Sequence, residues 1–260
     1  MKYKRLQVVA ASLVAGLSLL ALSALPVSAQ TATSTTGNAA RLSRLIGLAD
    51  KAIEQRIASL NALSTRLQSL QKISDSNKSD LSTMIQSSLT DMNALKAKID
   101  SDTDLATLRT DVKSITGSYR IYVLVVPRGY IFAAADRIMY IGDLMNALAG
   151  KLQGRIASAQ SAGKDVSSLQ SALTDLNAKV SDANAQAQAA VSEVASLAPD
   201  QGDQTKLAAN DQALKDARSK IKTANADLIA ARKDAAAIAK GLRAFGPIGT
   251  PPAQSSTPGQ

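Results

Sequence analysis

Between Arg41 and Phe245 apolar positions recur every three or four residues, the spacing that gathers side chains on one face of an α-helix. From Arg41 to Ile73 they are Leu42, Leu45, Ile46, Ala49, Ile53, Ile57, Leu60, Leu63, Leu67 and Leu70. That run predicts a first helix about 50 Å long at 1.5 Å per residue. Ser74-Asp75-Ser76-Asn77 breaks the pattern, and Asn77 is placed to cap a second helix over Lys78 to Ile99. Its apolar side carries Leu81, Ile85, Met92, Leu95 and Ile99. Asp100 to Asp104 interrupts the period, and Leu105, Leu108, Val112 and Ile115 restart it.

Further on, Ile131, Ala134, Ile138, Ile141, Met145, Leu148, Leu152 and Ile156 predict a long helix ending near Ser161. Gly163 suits a left-handed C-cap and Asp165 an N-terminal cap for the next helix. There Val166, Leu169, Leu173, Leu176, Val180, Ala183, Ala187, Ala190, Val194 and Leu197 keep a/d spacing until Pro199-Asp200-Gln201-Gly202. The last helix, Thr205 to Phe245, sets Leu207, Leu214, Ile221, Leu228, Ala235 and Leu242 at intervals of seven. Beside them runs a second seam of Ala217, Ala224, Ala231, Ile238 and Phe245, narrow enough to let a partner helix approach closely. Gly246-Pro247 stops the helix, and the Pro/Ser/Thr/Gly tail to Gln260 reads as disordered.

One stretch departs from this Ala/Leu texture. Ser118 to Ile141 holds Tyr119, Tyr122, Tyr130, Phe132 and Tyr140, five of the six aromatic residues beyond the N-terminal segment. Two readings compete there. Ile121 to Val126 has strand propensity, and Pro127-Arg128-Gly129 could turn it into a hairpin. A lone hairpin is marginal, so a helix entering from Thr103 and kinked at Pro127 is the preferred reading. The turn at Arg66 to Asn93 and that at Arg155 to Asn177 echo one another in sequence. The organisation expected is a first helical unit at 41–117, a junction at 118–141 and a second unit at 142–245, with a tail at 246–260.

The first 29 residues change the picture of where the chain acts. Lys2, Lys4 and Arg5 precede an apolar run from Leu6 to Leu25 and a small-residue exit at Val27-Ser28-Ala29. Basic, apolar and small segments in that order read as a signal peptide cleaved before Gln30, followed by a flexible Thr/Ser-rich spacer to Ala40. An uncleaved anchor helix is the rival, since about 20 apolar residues can span a bilayer. Export places the chain in the periplasm, at the cell surface or outside the cell. Without cysteine there is neither a disulfide nor a thioether lipid anchor.

The net charge is +9, falling to +6 once the three positive leader charges are removed. From Thr205 to Arg243 nine Lys or Arg oppose four Asp, a net +5, while Asp136 to Gln204 carries five against eight, a net −3. Such a basic end suits an anionic partner or pairing with the acidic helices. Lys215, Arg218, Lys220, Lys222, Arg232 and Lys233 are the candidate polyanion contacts.

The block from Asp100 to Tyr122 and the block GRIASAQSAGKDVSSLQSALTDLNAKV at Gly154 to Val180, behind a leader of this type, resemble those of uncharacterised exported all-helical, coiled-coil-like bacterial proteins. The resemblance covers Arg41 to Phe245 and implies an all-α exported protein. It brings no activity, cofactor or site residue.

Histidine and cysteine are absent and glutamate occurs only at Glu54 and Glu193. Imidazole and thiolate catalysis and an ordinary zinc site are thereby excluded. Asp100, Asp102, Asp104 and Asp111 share the spacing of a calcium loop, but Leu105 stands where its turn needs Gly and Asp111 replaces the bidentate Glu. The competing reading makes these acids helix caps. Tyr119, Tyr122, Tyr130 and Tyr140 interleave with Arg120, Arg128 and Arg137, which could grip a single-stranded polyanion. Packing favours treating Tyr119, Tyr122, Tyr130, Phe132 and Tyr140 as a hub between helical units. Gly150 and Gly154 are spaced to accommodate an Ala-rich neighbour.

These observations predict an all-α fold, an elongated antiparallel helical bundle of five to six long amphipathic helices, with two tandem units as one arrangement. The function expected is non-enzymatic, a structural or protein-interaction module of the cell envelope whose partner is another protein or a second copy. The alternative is a binder of anionic polymer or membrane surface through the basic last helix. No cofactor or metal is expected.

Overall fold

The computed structural model describes residues 34–117 and 120–246. Six α-helices account for most of them: α1 (Ser34–Gln68), α2 (Asp75–Ser101), α3 (Leu105–Gly117), α4 (Val126–Ser161), α5 (Ser167–Ala195) and α6 (Gln204–Ala244). A π-helical turn, Ile121–Val125, leads directly into α4, and no strand occurs among the described residues. The signal peptide expected at 1–29, Tyr119, and all of the tail beyond Gly246 lie outside the described residues.

Helix α1 begins at Ser34, so most of the segment read as a spacer forms its first turns. The apolar period gave no sign of this because Gly37, Asn38, Ala39 and Ala40 are all exposed and face no core. At its other end α1 stops at Gln68, short of Ile73. Leu70 and Ile73, which prolong the helical period in the sequence, are buried from the loop instead. Asp136 of α4 holds that loop by accepting hydrogen bonds from the backbone N–H groups of Gln71, at 2.6 Å, and Lys72. Helix α2 is capped by Ser74 rather than Asn77: the Ser74 hydroxyl accepts from the Asn77 N–H at 3.3 Å.

The helix expected to run from Thr103 through Pro127 is divided. Helix α3 ends at Gly117, and Arg120 takes the left-handed backbone region at φ 46° before the chain turns into the π-helical segment. Within it the N–H groups of both Leu124 and Val125 donate to the Arg120 carbonyl, at 2.8 and 3.4 Å. Pro127 therefore falls in the first turn of α4, not at a mid-helix kink. The wider π turn precedes the point where a tight α turn would press the proline ring on the Val123 carbonyl.

Helix α4 closes as its sequence forecast. Gly163 adopts φ 73°, its N–H donates to the Gln160 carbonyl at 2.9 Å, and the Lys164 N–H reaches the Ala159 carbonyl at 3.0 Å. This is a Schellman closure. Asp165 then accepts from the Ser167 N–H at 3.0 Å, and Asp203 caps α6 by accepting from the N–H groups of Thr205 and Lys206.

The a/d seam of α5 is buried from Val166 to Val194. Against it α6 lays Ala217, Ala224 and Ala231, each fully buried, and α5·α6 is the most extensive pairing in the fold. Short side chains on both sides let the two backbones approach closely. The buried apolar residues form two clusters. The first joins α1, α2, α3, the π turn and α4 as far as Met139 to the stretches Ala183 to Val194 and Leu214 to Leu228. The second, from Met145 to Leu242, belongs to α4, α5 and α6 alone. The first core thus draws on residues from both of the sequence units, 41–117 and 142–245.

Candidate functional site

The loop between α5 and α6 is held by Arg120, Arg128 and Asn210. Helix α5 ends with carbonyls that have no partner within the helix. The Arg128 guanidinium, 2% exposed, donates to the carbonyls of Ala195 and, at 3.2 Å, Leu197. Its plane lies over Phe132, with the guanidinium carbon 5.5 Å from the ring centroid, and burial lowers its pKa while Asp80 opposes that shift. Asn210 of α6 donates to the Ala198 carbonyl at 2.9 Å. Arg120 grips Asp200 with two hydrogen bonds, Nε to Oδ2 at 2.7 Å and an Nη to Oδ1 at 3.1 Å. The Arg120 bonds hold the Asp200 carboxyl below the ordinary carboxylate range, helped by the Gly202 N–H. Among the described residues Arg128 has no carboxylate bonded to it, so its role is that of a donor to helix carbonyls.

The aromatic stretch read as a packing hub is divided between core and surface. Of its described members only Phe132 is buried, whereas Tyr122, Tyr130 and Tyr140 are 43%, 61% and 47% exposed. Tyr122 lies on α1, with its hydroxyl 3.2 Å from that of Ser59 and its ring under the Arg56 guanidinium. The large polar side chain at the centre is Arg128, which the sequence offered as a polyanion contact and which is buried instead. Only the unpaired carbonyls of α5, distant in sequence, call for a donor there.

The acids at the α2–α3 turn do not gather as a set of metal ligands, although Asp102 and Asp111 meet each other. Asp100 pairs with Lys96 at 3.2 Å and Asp111 with Lys98 at 2.7 Å. Asp104 caps α3, accepting from the N–H groups of Ala106 and Thr107 at 3.0 and 2.8 Å, and these bonds hold its carboxyl low. Asp102 is raised by burial and by the neighbouring Asp111. No group of three or more acidic side chains placed to hold a metal ion is found among the described residues.

Gly150 and Gly154 are exposed and face open space, so no helix crosses there. The close approaches are at Gly129, Gly142 and Gly241, where an added Cβ would lie 2.2 to 2.5 Å from Leu63, Asn184 and Leu169.

The candidate basic contacts on α6 separate into two sets. Lys215 pairs with Asp211 at 2.7 Å and Lys220 reaches across to Glu193 of α5 at 2.8 Å. Arg218, Lys222, Arg232 and Lys233 are exposed and have no ion pair among the described residues. At 100° per residue these four fall within about 100° of one another around the helix.

One edge of that basic stripe borders a groove of about 620 Å³ between α4 and α6. Ile141, Leu144, Met145, Leu148 and Leu152 line it from α4, and Ala235, Ala236 and Ala239 from α6. The alanines are too short to fill the space opposite the leucines, which leaves Leu144 54% and Leu148 39% exposed. The sequence periodicity assigned Leu148 to a buried seam. Arg137 and Arg232 complete the lining. No helix of the described residues is long and apolar enough to cross a membrane.

No protein-family model, no curated protein and no solved structure matches the chain.

Proposed function

We propose that the chain is a non-enzymatic structural or protein-interaction module of the cell envelope, exported behind residues 1–29 and built as an elongated antiparallel bundle. The bundle geometry is supported by the ion pairs between α5 and α6: Lys179 meets Asp234 at 2.9 Å and Glu193 meets Lys220 at 2.8 Å, so one helix ascends as the other descends. The pair Lys96–Asp50, at 2.7 Å, and the bond from Lys78 to the Leu70 carbonyl support the same relation between α1 and α2.

The observation that carries the function is the division of labour among side chains. The central polar groups, Arg120, Arg128, Asp200 and Asn210, hold helices and loops to one another, while large apolar side chains of α4 are left to solvent. Tyr140, Leu144 and Leu148 recur every four residues and form one exposed strip. A photo-crosslinking residue at position 144 or 148, introduced in producing cells, is expected to capture a discrete envelope protein or a second copy. Absence of any adduct at both positions, with the protein at its normal level, overturns the reading.

A second reading, attachment to an anionic polymer or membrane surface, is favoured by Arg218, Lys222, Arg232 and Lys233, which are exposed and have no ion pair among the described residues. Retention on single-stranded DNA, acidic polysaccharide or anionic vesicles would then fall steeply with salt. Four phosphate contacts give a slope of about −3 in log K against log salt on a single strand. No retention at low salt removes this reading.

A further inference from the structure

The α4/α6 groove combines an apolar trough with two cationic side chains, and the placement of those cations is specific. Cluster membership passes from the first core to the second between Met139 and Met145 on α4 and between Leu228 and Ala231 on α6. Arg137 precedes the groove's leucines on α4 and Arg232 precedes its alanines on α6, and because both helices run antiparallel to α5 the two arginines line the same end of the groove. Leu144, Leu148 and Leu152 continue away from them, and Ile141 to Leu152 spans about 16 Å along the helix.

Neither arginine has an ion pair among the described residues, although acids lie close by in sequence. Each of those acids is engaged on another face. Asp136 accepts from the Gln71 and Lys72 backbone, Asp143 pairs with Lys72, and Asp234 pairs with Lys179. None of these three acids is therefore left to balance the two positive charges at the end of the groove. Two guanidinium forks lining one end of a groove suit an oxyanion, which each can meet with paired N–H donors.

We infer that this groove binds a single long-chain anionic amphiphile, its carboxylate or phosphate between Arg137 and Arg232 and its hydrocarbon chain along Leu144, Leu148 and Leu152. The inference goes beyond the protein-contact reading of the α4 strip, from which it takes only that Leu144 and Leu148 are open to an apolar ligand. A flat docking face would need neither the trough left by Ala235, Ala236 and Ala239 nor two cations at one end. Burying Leu144 and Leu148 under the chain supplies the apolar drive, and the head group fixes the direction of entry.

Calorimetric titration of the full chain tests this with dodecyl phosphate, dodecanoate, inorganic phosphate and the neutral dodecyl maltoside, all below their micellar concentrations. Both anionic amphiphiles are expected to bind one per chain, and the head group alone and the neutral tail at least about tenfold more weakly. Dodecyl phosphate binding tighter than dodecanoate assigns the site to phosphorylated lipid, and the reverse assigns it to free fatty acid. The pair R137Q and R232Q should weaken the anionic probes by about tenfold each while leaving the neutral one unchanged. Ala236→Leu, which fills the exposed trough, should abolish binding without loss of helix content. Equal affinity for the neutral and anionic probes, or unchanged binding by Ala236→Leu, overturns the proposal. A protein adduct at position 144 without amphiphile binding also overturns it while leaving the interaction module standing.

Discussion

A Cβ atom added at Gly129 would lie 2.2 Å from Cδ1 of Leu63, which places the start of α4 directly on the side chain of α1. Leu63 is itself buried, so it has no free space into which to turn. Gly129→Ala should lower stability by about 1–3 kcal/mol through overpacking. Urea denaturation reads the effect, and a cycle with Leu63→Ala should show that the two substitutions partly compensate.

Gly150 gives the opposite expectation. It lies within α4, is exposed, and an added Cβ would meet nothing within 4 Å. Gly150→Ala should raise stability by about 0.5–1 kcal/mol because alanine loses less backbone freedom in a helix. A higher urea midpoint with an unchanged slope is the expected record.

Removing Arg128 should release the α5–α6 loop. Arg128→Ala leaves the Ala195 and Leu197 carbonyls without their donor and opens a cavity beside Phe132. The combined cost is about 3 kcal/mol. Hydrogen exchange should accelerate in residues 196–203 more than in the middle of α2, which Arg128 does not secure.

Acid should weaken the fold through Asp200. Its carboxyl is held below the ordinary value by Arg120, so the unfolded chain takes up a proton before the folded one does. The stabilisation is complete above the ordinary aspartate range near about 3.9 and is lost as pH falls from there through the depressed folded value. Asp104, lowered by its cap hydrogen bonds, and Asp165, lowered by the Ser167 hydroxyl and N–H, act in the same direction. Urea midpoints taken from pH 7 to pH 3 should fall more steeply for the natural chain than for Asp200→Asn.

The sequence was most legible where one helix meets another over many turns. Every a/d position of α5 from Val166 to Val194 is buried, because a repeated seam reports the same neighbour again and again. Gly163 and Asp165 were legible too, since each acts on backbone a few residues away. Arg120 and Asp200 carry no such local mark. They stand 80 residues apart, and nothing near either one indicates the other. The groove escaped notice for a related reason. Leu148 obeys the helical period, yet it is exposed because α6 places alanines opposite it, and a one-helix pattern contains no information about its neighbour's side-chain length. The exposure of Tyr130 and Tyr140 was not legible either, because aromatic content alone does not say which face of α4 is covered.

The Arg120–Asp200 pair also sets a timetable for biosynthesis. The first core is completed by Ala183 to Val194 and Leu214 to Leu228, so α1, α2 and α3 leave the ribosome before the residues that cover them exist. At about 5–20 residues per second, the 80 residues from Arg120 to Asp200 take roughly 4–16 s to add. Throughout that interval Ile53, Leu60, Leu81 and Ile85 belong to a nascent chain whose core is incomplete. A holding chaperone therefore has seconds, not milliseconds, in which to engage them.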